Sequence, residues 1–429
     1  LDLLRGVALC GILAVNISAF ALPMATFYRP PVAGGFEGAN FAVWLITHLF
    51  FEFKFITIFS MLFGAGLMVI SARARDRAQA SVGVRAPSGA GLYYRRLAIL
   101  LCLGLAHAYF LWYGDILTFY AILGVALWPL RRVRPAALVG IAVALLLVYV
   151  PVTALSAYFL RGPVEAAAQA LASGVERDPA TAAQLAMYDP TPEQIARETA
   201  LMRGPYGPMF EERAGFTIFF QIVGLFFFGP WRILPVMLLG MALARWGVFH
   251  AARPTRFYAT LAIAGYGVGL PSVAYGAWRL VDINFALPDA VGPLTLFNQL
   301  GSIAVALGHV GLVMLLFKRG VFTTGALAPL GRGLRAMGRM ALTNYLMQTF
   351  ICVTLFYGAW GLGLFNALSR VEMALVVVSI WIFQLVISPL WLKVFRTGPM
   401  EWLWRTLTYW RLQPVLAPRP DAATTRPTA

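Results

Sequence analysis

Ten apolar runs, most of them near the roughly 20 residues an α-helix needs to cross a bilayer, leave this chain few folds to choose from. They fall at about 6–23, 43–70, 97–113, 116–130, 136–160, 231–247, 257–278, 298–317, 340–358 and 373–395. In lipid, a spanning segment must pair its own backbone polar groups, and a long continuous apolar run does so as a helix. Hydrophobic residues make up 60% of the sequence and charged residues 12%, about half the charge of a soluble domain. The expected fold is all-α: a polytopic transmembrane helix bundle of about ten crossings.

The connections between runs sort by charge. Arg73, Arg75, Arg77, Arg85, Arg95 and Arg96 fill 71–96. Arg131, Arg132 and Arg134 follow the fourth run, and Arg245, Arg253 and Arg256 the sixth. Lys318, Arg319, Arg332, Arg335 and Arg339 precede the ninth, and Lys393, Arg396, Arg405 and Arg411 follow the tenth. Such clusters stay in the cytoplasm, which puts both termini there. The net charge of +16 is thus explained by loops, and no nucleic-acid partner is expected. Membrane lipid is the expected surrounding.

Segment 214–230 is apolar enough to span, but if it did, the later clusters would fall outside. Parity predicts that it dips into the outer face, with Pro230 and Pro235 marking a break before the crossing. Stretch 161–213 carries five Arg and eight Asp or Glu and is expected outside as a helical cap, with a turn at Asp189-Pro190-Thr191-Pro192. Four parts result: 1–160 with a candidate pocket, 161–230 as cap and dipping segment, 231–413 as the later helices with an interfacial C-terminal helix, and 414–429 as a disordered tail. Cys10, Cys102 and Cys352 all fall in apolar runs, so no disulfide framework is expected.

Ionisable groups inside a membrane cost about 3 kcal/mol or more at its centre. By parity, His48, Glu52 and Lys54 in the second run, His107 in the third, Asp115 at the turn after it and Asn16 in the first all reach the outer half. They are expected to line one outward pocket. Each also has a plainer explanation: a His48–Glu52 hydrogen bond, a Glu52–Lys54 pair reaching for water, or a helix cap at Asp115. His309 could join them or bond a carbonyl, and His250 lies at a cytoplasmic end. Asn344 and Gln348 share one face of the ninth run, which suits helix–helix hydrogen bonding as well as substrate binding. Walker A, HExxH and GxSxG patterns are absent, and no metal is expected.

Four motifs carry a resemblance: Leu1-Asp2-Leu3-Leu4-Arg5-Gly6; Phe53-Lys54-Phe55 with Phe59-Ser60-Met61-Leu62-Phe63-Gly64; His107 with Trp112-Tyr113-Gly114-Asp115; and Gly398-Pro399-Met400-Glu401-Trp402-Leu403-Trp404-Arg405. The chain resembles, along its whole length, the YeiB family of bacterial inner-membrane proteins (domain of unknown function 418). Its opening motif is also similar to that of the transmembrane acyltransferases, of the acyltransferase-3 and heparan-α-glucosaminide N-acetyltransferase types. Those proteins pass an acyl group from cytoplasmic acyl-CoA to a sugar across the membrane. Asp2 and Arg5 match their first-helix pair. Position 16 is Asn where acyltransferase-3 proteins commonly carry His, and the first outer connection, 22–42, holds no His. A base role carried over by the resemblance therefore falls on His48 or His107.

Two functions follow as expectations. One is acyl transfer, with His107 as general base, Asp115 or Glu52 orienting it, and the basic 71–96 and 318–339 loops holding the phosphates of acyl-CoA for an extracytoplasmic acceptor. The other is a transporter or flippase, whose intramembrane polar groups bind substrate or relay protons.

Overall fold

The computed structural model describes residues 1–80, 89–359 and 361–417, with backbone alone at 73–80. The side chains of Arg73, Arg75, Arg77 and Arg85, and the tail from 418 on, lie outside the described residues. Among these residues the regular elements are helices. In order they are α1 (Asp2–Ala21), α2 (Gly38–Phe50), α3 (Lys54–Ala80), α4 (Gly89–Phe110), α5 (Leu117–Gly124), α6 (Leu127–Leu130) and α7 (Pro135–Ala172). There follow α8 (Pro179–Leu185), α9 (Pro192–Arg203), α10 (Tyr206–Val223), a π-helical segment (Gly224–Ile233) and α11 (Leu234–Arg245). Last come α12 (Thr255–Asp282), α13 (Pro293–Lys318), α14 (Ala328–Arg339), α15 (Ala341–Phe356), α16 (Arg370–Val394) and α17 (Pro399–Tyr409).

Eight helical stretches are long and apolar enough to cross a membrane. The remaining two apolar runs become shorter pieces. Run 116–130 splits into α5 and α6, and run 340–358 becomes the 16-residue α15, about 24 Å at the helical rise.

The region 206–245 departs from expectation. Segment 214–230 does not dip separately, and Pro230 and Pro235 do not break the chain. One helical stretch of 40 residues runs from Tyr206 to Arg245, so the boundary at 230/231 falls inside a helix. Proline removes an N–H and crowds the carbonyl four residues back; here the helix widens into a ten-residue π-helical segment that contains Pro230. At about 60 Å the stretch is twice the hydrocarbon thickness, and its first half stands clear of the span with the 38-residue α7. These two helices raise the cap.

Hydrogen bonds gather the basic loops at one end of the bundle. Arg245 bonds the carbonyls of Arg131 and Val133, Lys318 those of Ala251 and Arg253, and Arg339 that of Arg396. The acidic stretch lies at the other end. Thr191 caps α9 through a reciprocal capping box with Gln194, as its Asp-Pro-Thr-Pro turn suggests. Buried Arg213 donates to the carbonyls of Tyr109, Phe110 and Leu111 at the end of α4, and Asp189 takes ion pairs from Arg29 and Arg177.

Glu198 on α9 adds a titratable strut to the cap. It accepts from the Met24 backbone N–H at 3.2 Å, and burial pushes its carboxyl up to about 7. A raised carboxyl stabilises the docked cap fully below the unfolded value of 4.5, and that contribution is lost as pH rises through about 7. The wild-type Tm is expected to fall between pH 4.5 and 7.5, and Glu198→Gln to flatten that slope by roughly 3 kcal/mol at most. Equal slopes in both proteins, by scanning fluorimetry in detergent, would rule the strut out.

Candidate functional site

The second apolar run places its polar groups where its helix is interrupted. α2 ends at Phe50, and the chain turns through Phe53 in the left-handed region (φ 61°) before α3 begins at Lys54. His48 and Glu52 are thus not on one continuous helix, yet they meet: His48 Nδ1 lies 2.6 Å from Glu52 Oε2. A carboxylate accepts only, so Nδ1 carries the proton and Nε2 the lone pair. Nε2 is buried and has no partner. Trp44 stacks on the ring with centroids 5.2 Å apart.

His48 and Glu52 line a cleft of about 50 Å³ with Ser18, Thr26, Trp44, Thr47 and Arg370. That is room for a few waters, not for a sugar. Arg370, at the start of α16, donates to the carbonyls of Pro30, Ala33 and Gly35 and so fixes the 22–37 connection beside the cleft.

His107 and Asp115 form a second pair, apart from the first. His107 Nδ1 is 2.8 Å from Asp115 Oδ1, and its Nε2 is 2.9 Å from Thr349 Oγ1 on α15. Asp115 Oδ2 also accepts from the Thr118 N–H at 2.7 Å, the helix cap its position suggested. All three side chains are 3% exposed or less. The order is Asp–His–Thr, the base between an orienting carboxylate and a hydroxyl, but both ring nitrogens are already engaged.

The single pocket expected for six residues therefore divides. His48 and Glu52 line the cleft, and Glu52 orients His48 rather than His107. Lys54 reaches it through the His48 carbonyl and also bonds Asn298 Oδ1 at 2.6 Å. Asn16 is half-buried on α1 and takes part in neither pair. His309 bonds the Tyr266 hydroxyl and the Phe50 carbonyl, the plainer of its two expected roles. Asn344 and Gln348 belong to a buried network with Ser388 and Gln384 that joins α15 to α16. Asp2 and Arg5 pair with each other at 2.9 Å at the basic end.

A larger cleft, about 380 Å³, opens at the basic end among Met68, Ser71, Arg131, Arg245 and His250. Sequence reasoning passed over Thr349, Asn298 and above all Arg232, although an arginine inside a long apolar stretch was signal enough.

Eight apolar spans and polar pairs buried among them define a multi-pass helical membrane protein. The chain belongs to the YeiB family, whose conserved region is described as a protein of unknown function (DUF418) and matches residues 243–411. It is 31% identical to the uncharacterised protein YeiB of Escherichia coli K12, over 95% of each chain. It is 30% identical to the uncharacterised protein YxaH of Bacillus subtilis 168, over 97% of this chain and 95% of that one. A Bacillus acidopullulyticus protein described as encoded in the amylase 3′ region is 26% identical, over 97% and 95%. No solved structure matches the chain.

Proposed function

We propose that this protein, in the bacterial inner membrane, transfers an acyl group from cytoplasmic acyl-CoA to a hydroxyl or amine of an extracytoplasmic glycan or similar acceptor, with His48 as general base. The observation that carries this reading is the free, buried Nε2 of a histidine whose Nδ1 is held by Glu52 and whose ring lines a cleft. Such a nitrogen takes the acceptor proton as oxygen or nitrogen attacks the thioester carbon, and the C–S bond breaks to release the CoA thiol. Glu52 stabilises the imidazolium formed. His107, with both nitrogens engaged, ties α4 to α15 beneath the cap. Arg131, Arg245 and His250 around the basic-end cleft support phosphate binding by the donor.

His48→Ala is expected to lower transfer from labelled acetyl-CoA about 10²–10⁴-fold, with acyl-CoA binding retained. His107→Ala is expected to act through lost stability, visible as a lower Tm. If His48→Ala transfers at the wild-type rate, the base role is not there; if the purified protein binds no acyl-CoA, the whole reading falls.

A second reading, transport without group transfer, has its own support in the α2–α3 break and the π-helical segment, because transporters build sites from discontinuous helices. Substrate flux into proteoliposomes with no covalent change would favour it.

A further inference from the structure

Two cations stand buried inside candidate membrane spans, and neither has an anionic partner of its own. Lys54 is fully buried and Arg232 is 2% exposed. Among the described residues no carboxylate forms an ion pair with either. Glu52 attracts Lys54 but its oxygen is held by His48. The two cations also repel each other. A buried charge left in this state is costly, and such charges are found paired or bound to a ligand.

Their neutral contacts build a frame. Arg232 donates through Nη2 to Thr57 Oγ1 at 2.8 Å and Ser302 Oγ at 2.7 Å. Lys54 donates to Asn298 Oδ1. Lys54 and Thr57 are three residues apart on α3, and Asn298 and Ser302 four apart on α13, so each pair shares one helix face. The same two faces therefore grip both cations, one turn apart. Arg232 enters from the π-helical segment, a helix form found mostly at functional sites.

The groups left over at this frame are donors. Lysine only donates, so Asn298 must turn its oxygen to Lys54, which sends its Nδ2 elsewhere. Asn298 Nδ2 and Arg232 Nε are both buried without partners. Spare N–H groups beside two positive charges call for a negatively charged acceptor. Water could fill a donor's need but not offset the charge.

We propose that Lys54, Arg232 and Asn298 form a buried receptor for an oxyanion, the carboxylate or phosphate of a small molecule or of a lipid headgroup. Arginine and lysine serve both chemistries, arginine through its fork and lysine as a point charge. The proposal concerns binding alone and stands apart from acyl transfer.

The test uses the full chain in phosphatidylcholine nanodiscs. Inorganic phosphate or acetate is expected to raise the wild-type Tm in a saturable way if the ligand is soluble. Replacing part of the phosphatidylcholine with phosphatidylglycerol is expected to raise it without added anion if the ligand is a lipid. Arg232→Met is expected to lose that response, with an apparent Kd at least roughly tenfold weaker, as the loss of a charge-assisted hydrogen bond implies. Its Tm without anion should equal or exceed the wild type, because removing an uncompensated buried charge relieves the fold. Lys54→Met repeats the test should the first variant fail to fold. A wild-type Tm that moves with none of the three probes overturns the proposal. So does an Arg232→Met protein that melts lower without anion while responding to the probes as the wild type does, the pattern of a purely structural residue.

Discussion

Gly240→Val yields no folded protein, if α3 and α11 cross as closely as their backbones indicate. A Cβ at Gly240 would sit 2.0 Å from the Met61 carbonyl oxygen, and one at Gly64 would sit 2.0 Å from that of Met237. The contact is reciprocal, glycine of one helix against carbonyl of the other, so neither side has a flexible side chain to give way. Small residues allow such approach, and membrane helices use it because apolar burial alone does not hold them together in lipid. Parting the helices by an ångström would strip packing from Met61, Val236 and Met237, all fully buried. It would also pull Thr57 and Arg232 apart, since each lies about two turns from the crossing. The expected loss is roughly 5 kcal/mol or more, at the extreme of single substitutions. Fluorescence-detected size-exclusion chromatography should show aggregate or no monodisperse peak. A Gly240→Val protein with the wild-type elution and Tm would mean that the crossing is looser than described.

Glu401→Ala should cost on the order of 3 kcal/mol, the loss of a charge-assisted cap that leaves buried donors open. Glu401 belongs to α17, yet it caps α15. Its Oε1 accepts from the Leu342 N–H at 2.6 Å and the Thr343 N–H at 3.2 Å, and its Oε2 from the Thr343 hydroxyl at 2.6 Å. Two otherwise open N–H groups at the start of a helix are thereby filled. The neighbouring Trp404 donates to the Arg96 carbonyl at 3.0 Å and lies under the Arg96 guanidinium at 4.1 Å. The Gly-Pro-Met-Glu-Trp-Leu-Trp-Arg signature is thus a docking device. Glu401→Gln, which keeps one acceptor, should recover about half the loss, and thermal melts of the three proteins in one detergent decide it. Equal Tm values for wild type and Glu401→Ala would show that water serves the start of α15 equally well.

What could be read from the sequence followed the physics of each signal. Spanning helices announce themselves because lipid sets both their length and their polarity, and the basic clusters separate because their loops share one end. Pro230 misled because in water a proline inside a helix usually ends it, whereas between packed helices a local change of register absorbs it. Parity gives the depth of a residue but not the direction its side chain faces around the helix. His48–Glu52 and His107–Asp115, four and eight residues apart, could be paired by spacing. Thr349 lies 242 residues from His107, and Asn298 lies 244 from Lys54; nothing in one sequence says that those helices touch. Glu52 was matched to His107 for the same reason.

The clasp made by α17 also bears on the order of events at the ribosome. Among the described helices α17 is synthesised last, after α4 and α15 have had time to enter the bilayer. Until Glu401 emerges, the first N–H groups of α15 stand open, and until Trp404 emerges, the start of α4 lacks its seat. Helix insertion can proceed one segment at a time, but locking the bundle has to wait for the final stretch of translation. A nascent chain stalled before Pro399 would hold its inserted helices in the membrane and still be open to the proteases that police unfinished proteins.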